Sequence, residues 1–189
     1  MQILKDKIIR CGKPIADRII KVDSFLNHQL DVDLLNEIGK EFKQRFQDKT
    51  ITKILTLESS GIAIACITAQ YFHVPVVFAK KHEAANLDAD NYQAEVYSYT
   101  KDRLYQIRVA KDYLLRQDKV LIIDDFLANG QAINGLLELI SQAGAEAVGI
   151  GIVIEKAFQK GREKISNQRI QLESLAIIES IRDGEIIFQ

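Results

Sequence analysis

The stretch Val120-Leu121-Ile122-Ile123-Asp124-Asp125-Phe126-Leu127-Ala128-Asn129-Gly130-Gln131-Ala132 reads as a strand, a turn and the start of a helix. Its leading residues are apolar and rich in β-branching, with no polar alternation. That is the pattern of a strand covered on both faces, as in a parallel sheet. Asp124 and Asp125 then close it. Side chains alternate along a strand, so the two carboxylates diverge unless the chain is already turning, and at least one must meet water or a ligand. In an open α/β sheet the carboxyl end of a strand is the place for that meeting.

Beyond the acids, Ala128–Ala132 supplies small residues with one Asn and one Gly, both able to take positive φ and turn N–H groups toward a single point. An amphipathic helix follows through Ile133, Leu136, Leu137 and Ile140, so its amino end aims free N–H groups and a positive dipole into the loop. Paired acids directly before such a loop suit a sugar phosphate. The carboxylates take hydroxyls or a hydroxyl-bound Mg²⁺, and the N–H groups take the phosphate. The bland reading, an acid pair that ends a strand and an Asn-Gly turn, is commoner in general but leaves this combination unexplained.

Upstream the same rhythm recurs. Lys53–Leu57 reads as a strand, Glu58-Ser59-Ser60-Gly61 as a loop, the run through Ile62, Ile67 and Tyr71 as a helix, and Val74–Ala79 as a strand, which makes a βαβ unit. The loop Glu58–Gly61 is a second candidate anion site at a helix amino end. Lys80, Lys81 and His82 come straight after the second strand, where cations would face an anionic ligand or simply solvent. Residues 83–92 are polar and unperiodic, and Ala94–Thr100 with Leu104–Val109 suggest a hairpin-like flap spanning 83–112. Tyr97 and Tyr99 fit either flap or core.

Downstream, Gly144 ends the helix and Val148–Ile154 is a further buried strand, finishing at Glu155-Lys156. Its glycines lie inside the strand and do not form a dinucleotide fingerprint. Residues 157–168 are basic and weakly helical, and 170–178 and 185–188 add strands around a turn at Gly184. At the amino end, residues 2–10 form a helix candidate stopped before Pro14. Residues 18–29 have no clear period, and 31–47 are an amphipathic helix. Residues 18–29 are too apolar for a free tail and, tethered ahead of the 31–47 helix, could fold over a site as a cap; with the residues before them they make a candidate hood segment, 1–30.

These features resemble type I phosphoribosyltransferases: a hydrophobic strand, two acids and a small-residue phosphate loop. The resemblance runs nearly the whole length, in family order and spacing. Within the family the run Lys21–Gln29 is most similar to bacterial members that act on xanthine. The resemblance implies an α/β fold, a mostly parallel sheet with helices on both faces, plus an N-terminal hood and a β flap, all in one domain over residues 1–189. It implies phosphoribosyl transfer from phosphoribosyl pyrophosphate to a purine, with guanine, hypoxanthine or adenine as alternatives to xanthine, or a non-catalytic regulator that senses the same ligand. Asp124 and Asp125 would be catalytic. Ala128, Asn129, Gly130, Gln131 and Ala132, together with Glu58, Ser59, Ser60, Gly61, Lys80 and Lys81, would bind the phosphoribosyl donor, the Glu58–Gly61 loop often around a cis peptide. Ile20, Asn27 and Lys156 would bind the purine. Most members carry Thr or Ser where this chain has Asn129, so the hydroxyl contact there passes to backbone and an amide. Mg²⁺ would arrive with the donor and meet the protein, if at all, through Asp124 and Asp125. No organic cofactor is implied, and a homodimer is.

Composition sets the bounds. The 189 residues, 47% hydrophobic, suffice for one domain with its own core. With 25 basic and 26 acidic residues the net charge is −1, so no global field holds nucleic acid. No segment approaches the roughly eighteen apolar residues of a membrane helix, and the first residues lack a signal-peptide pattern, which predicts a cytoplasmic protein. Cys11 and Cys66 lie far apart without metal-ligand spacing.

Overall fold

The computed structural model describes residues 1–15, 18–82, 90–98, 103–165 and 169–189. In chain order the elements are α1 (Gln2–Cys11), β1 (Lys13–Ile15), β2 (Ile19–Lys21), α2 (Val32–Arg45), β3 (Lys53–Leu57), α3 (Ser60–Phe72), β4 (Val76–His82), β5 (Asn91–Ser98), β6 (Arg103–Ala110), β7 (Lys119–Leu127), α4 (Gln131–Gln142), β8 (Glu146–Lys156), β9 (Leu172–Arg182) and β10 (Glu185–Phe188). A π-helical turn covers Asp23–Asn27 between β2 and α2.

Eight strands form one sheet in the order β10-β9-β8-β7-β3-β4-β6-β5, and β1 pairs with β2 in a separate hairpin. The five central strands, β9 to β4, are parallel to their neighbours. Antiparallel pairs close both edges, β10 on β9 and the β5–β6 hairpin on β4. The strand order reverses between β3 and β7: the chain goes on from β3 to β4 in one direction and from β7 to β8 and β9 in the other. Loops leaving the carboxyl ends of β3 and β7 must therefore part, and the crevice between them belongs to the topology.

Alternation along β7 supplies the two cores. Leu121 and Ile123 join Ile54 and Val153 beneath α1, α2, α3 and the hood, whereas Val120 and Ile122 join Leu55, Ile150 and Ile152 beneath α4. All four of these β7 side chains are fully buried, so a continuous apolar run was the required sequence. Replacing Leu121 by Ala would cost about 2–5 kcal/mol. Helix α2 is fixed at its start by Asp31, whose carboxylate accepts from the Leu34 N–H at 3.1 Å and pairs with Lys7 of α1 at 2.7 Å.

Several expectations are revised. β7 does not end at the acid pair but runs on to Leu127, because Phe126 and Leu127 keep partners in Ile154 and Glu155 of β8. β4 likewise continues through Lys80, Lys81 and His82, paired with Arg108, Ile107 and Gln106. The hairpin of the expected flap is rooted in the main sheet: Val96 and Ile107 are at most 1% exposed and pack into the α4 core. The loop expected at 83–92 falls outside the described residues for 83–89, as does Tyr99, while Tyr97 is half-buried. The aperiodic hood resolves into the β1–β2 hairpin and the π turn, with Phe25 and Leu26 fully buried.

Candidate active site

Because β7 continues past the acids, Asp124 and Asp125 point to opposite sides of the crevice, each only 6–8% exposed. Each carboxylate accepts from the N–H of the following residue, Asp125 N to Asp124 Oδ1 at 3.0 Å and Phe126 N to Asp125 Oδ1 at 2.9 Å.

Asp125 faces the hood. Asn27, the last residue of the π turn, donates from Nδ2 to Asp125 Oδ2 at 3.0 Å across 98 residues of sequence. Lys156, at the end of β8, lies on the same side, its ammonium 4.9 Å from the centre of the Phe126 ring. Burial pushes the Lys156 ammonium below its usual range, and the Asp125 charge pulls the other way. Asp125, Asn27 and Lys156 therefore make one wall, with an acceptor, an amide and a cation, and the Phe126 ring lies beside that cation. Ile20 is 4% exposed, paired to Pro14 in the small hairpin and packed in the hood core, so the face it can offer a ligand is small.

Asp124 faces the other way. Burial and then the neighbouring Asp125 charge push its carboxyl well above the usual range, and Lys81 counters them. The Lys81 ammonium sits 5.5 Å from the Tyr105 ring centre. Burial, followed by the Asp124 charge, raises the Tyr105 hydroxyl. Lys80 is turned away from this group, as alternation requires, and lines a 410 Å³ cavity with Phe78, Arg108 and Tyr113. The basic pair is thus divided, with Lys81 alone directed at the acids.

Both predicted loops border the crevice. The Glu58–Ser59 peptide is cis, and α3 begins at Ser60. The Glu58 carboxylate accepts from the Lys81 N–H, which ties this loop to β4. Gly61 lies so close to the sheet that a Cβ would collide with Thr56 Oγ1 and come within 3.1 Å of Asp124 Oδ1. Thr56 Oγ1 is itself buried without a hydrogen-bond partner among the described residues. In the second loop Gly130 takes φ +79° and α4 starts at Gln131, with no side-chain cap on its first N–H groups among the described residues. Ala128, Asn129, Gln131 and Ala132 are partly exposed around it.

The arrangement can hold a ligand negative at both ends and hydroxylated in the middle. Two helix amino ends bracket the crevice, and the two acids stand between them. The oxygen atoms of Asp124 and Asp125 suit a Mg²⁺ whose coordination would be completed by ligand oxygens and water. Sequence reading passed over Phe126, Tyr105 and Thr56. Phe126 lies inside the decisive stretch, but its place beside the Lys156 ammonium joins two strands that no local sequence pattern connects.

Comparison with known proteins matches a family model described as Phosphoribosyl transferase domain to residues 22–181. Two curated relatives named xanthine phosphoribosyltransferase, from Clostridium novyi and Clostridium tetani, are 58% and 60% identical over the full length of both chains. Among solved structures, APRTase from Giardia lamblia complexed with 9-deazaadenine superposes with a TM-score of 0.77 at 27% identity, covering 92% of this chain and 96% of that one. Adenine phosphoribosyltransferase from Rhodothermus marinus shares the fold at a TM-score of 0.75 and 20% identity, covering 94% of this chain and 100% of its own.

Proposed function

The chain belongs to the phosphoribosyl transferase family, and from that premise we propose that it moves the phosphoribosyl group of phosphoribosyl pyrophosphate onto xanthine, giving xanthosine 5′-monophosphate and diphosphate. The observation that carries this reading is the split of the acid pair. Asp125 stands with Asn27 and Lys156 on a wall suited to a planar base, with the Phe126 ring beside the Lys156 ammonium, while Asp124 stands with Lys81 and the Glu58–Gly61 loop on a wall suited to diphosphate. The 5-phosphate belongs to Ala128–Ala132 and the amino end of α4. The base is supported by Lys156, whose ammonium only donates and so favours ring carbonyls over an exocyclic amine. This separates xanthine from adenine, although adenine enzymes share the fold.

In the reaction the anomeric carbon loses its bond to diphosphate and gains one to a purine ring nitrogen through an oxocarbenium-like transition state. Asp124 and Asp125 hold the ribose hydroxyls, and the loops orient both phosphate ends so that the base nitrogen lies behind the anomeric carbon. Mg²⁺ bound with the donor would neutralise charge on the leaving diphosphate, with Asp124 and Asp125 as protein-side ligands directly or through water. No side chain here is needed as a general base, since an acidic purine arrives partly deprotonated. One domain for the whole chain and a homodimer by family analogy complete the reading. Two unpaired cysteines, Cys11 and Cys66, suit a reducing cytoplasm. Among the described residues no helix is long and apolar enough to cross a membrane.

The test is diphosphate release from phosphoribosyl pyrophosphate and Mg²⁺ with xanthine, guanine, hypoxanthine or adenine supplied singly. Xanthine should far exceed the rest, and Lys156→Gln should raise its KM by about tenfold to a hundredfold. Release with another base would overturn the specificity, and silence with every base would turn the site into a sensor.

A further inference from the structure

The end of β8 carries two charged residues that face opposite ways. Lys156 faces the base wall. Glu155, only 4% exposed, faces the other side of the sheet, where it meets Arg162 in a two-pronged contact: Nε to Oε1 at 3.0 Å and Nη2 to Oε2 at 2.6 Å. Ser174 of β9 donates to Glu155 Oε2 at 2.5 Å and accepts from Arg162 Nη2 at 3.2 Å, and Arg162 Nη1 donates to the Leu172 carbonyl at 3.2 Å. The guanidinium is therefore pinned to two strands at once.

The residue before it, Gly161, lies directly against the loop assigned to the 5-phosphate. A Cβ on Gly161 would collide with the Ala128 carbonyl and reach 3.1 Å from Gly130 N, and a Cβ on Gly130 would come within 2.8 Å of Gly161 O. The same short segment is fastened to α4, because Asn134 Nδ2 donates to the Lys164 carbonyl at 2.9 Å. A backbone cradle binds an anion well only if its N–H groups are already oriented, and among the described residues no side chain caps the start of α4. The support comes from outside, through Gly161.

We propose that Arg162, clamped by Glu155 and Ser174, is a positioning residue that presses Gly161 against Ala128–Gly130 and so fixes the shape of the 5-phosphate cradle. This rests on the assignment of that loop to the phosphate. It predicts a loss confined to ligands bearing the 5-phosphate, since the base wall and the Glu58–Gly61 loop do not depend on the clamp.

The experiment titrates the full chain with ribose 5-phosphate and, separately, with diphosphate, by calorimetry, alongside the KM values for phosphoribosyl pyrophosphate and xanthine. Arg162→Gln should weaken ribose 5-phosphate and raise the donor KM by about tenfold or more, with diphosphate affinity and the xanthine KM within about twofold. Arg162→Lys, which keeps the charge but loses the fork, should fall between it and the parent. Ser174→Ala removes hydrogen bonds without removing a charge, and should give about a two- to threefold effect of the same selectivity even where Arg162→Gln folds poorly. Equal losses for both ligands, or unchanged ribose 5-phosphate affinity in folded Arg162→Gln or Ser174→Ala, would overturn the positioning role. Gly130→Ala is the separate control on the loop itself. If it leaves ribose 5-phosphate affinity intact, the phosphate assignment fails and the clamp's role fails with it. If it abolishes binding while the Arg162 and Ser174 variants bind normally, only the clamp is wrong.

Discussion

At the amino-terminal edge of the central strands, Asp118 accepts from Lys53 Nζ at 2.7 Å, from the Leu115 N–H at 2.8 Å and from the Thr52 hydroxyl at 3.2 Å. Lys53 also donates to the Tyr113 carbonyl at 2.7 Å. At the carboxyl edge of the same strands, Asp124 is as buried as Asp118 but has another acid beside it. Burial alone would raise both carboxyls. For Asp118 the hydrogen bonds and the Lys53 charge outweigh it and hold the group below its usual range, whereas for Asp124 the neighbouring acid adds to it. An acid that serves the fold is surrounded by donors. Asp124 accepts from the Asp125 N–H and has a second acid beside it, an arrangement that clusters at functional sites.

That contrast can be broken in order of expected effect. On the proposed mechanism Asp125→Asn should reduce kcat/KM by about a thousandfold or more while the melting temperature stays within a few degrees, because the amide keeps the side chain's shape and an oxygen that can accept from the Phe126 N–H. An active variant would remove this carboxylate from the mechanism. Asp118→Asn should do the reverse, lowering stability in urea by about 3 kcal/mol since the Lys53 charge is left buried and uncompensated, with kcat of the folded enzyme close to the parent's. Equal stability would mean that the edge is held by backbone pairing alone. The smallest effect is in acid. Asp118 has a depressed folded pKa, so its contribution to stability is present above the ordinary aspartate value and is lost as pH falls through the folded one. Stability of the parent should thus decline on going below about pH 4 more steeply than that of Asp118→Asn, as read from urea midpoints at each pH.

Much of this was legible in the residues. Strands buried on both faces must be continuously apolar, so β3, β7 and β8 announced themselves, and the two small-residue loops followed from what stood at their ends. The strand ends were less legible. β4 and β7 outrun their apolar runs because charged residues at an open sheet end pair through the backbone as readily as valine does, and β9 outruns its own because Ser180–Arg182 pair with β10. Setting β4 to stop at Ala79 concealed that Lys80 and Lys81 must diverge. The hood was opaque for a different reason. A π turn has neither period 2 nor 3.6, and the Asn27–Asp125 bond joins positions that no local pattern connects.

The reversal of strand order between β3 and β7 has one more consequence, for how such a protein can change. The furrow exists because loops part there, so the sheet is complete without any of the side chains that line it. Wall side chains such as Lys81 and Lys156 can be exchanged with the backbone pairing of their strands kept, whereas Gly61 cannot take a Cβ without meeting Thr56. The base that such a site accepts can thus be set by the walls of the furrow, independently of the paired cores beneath it.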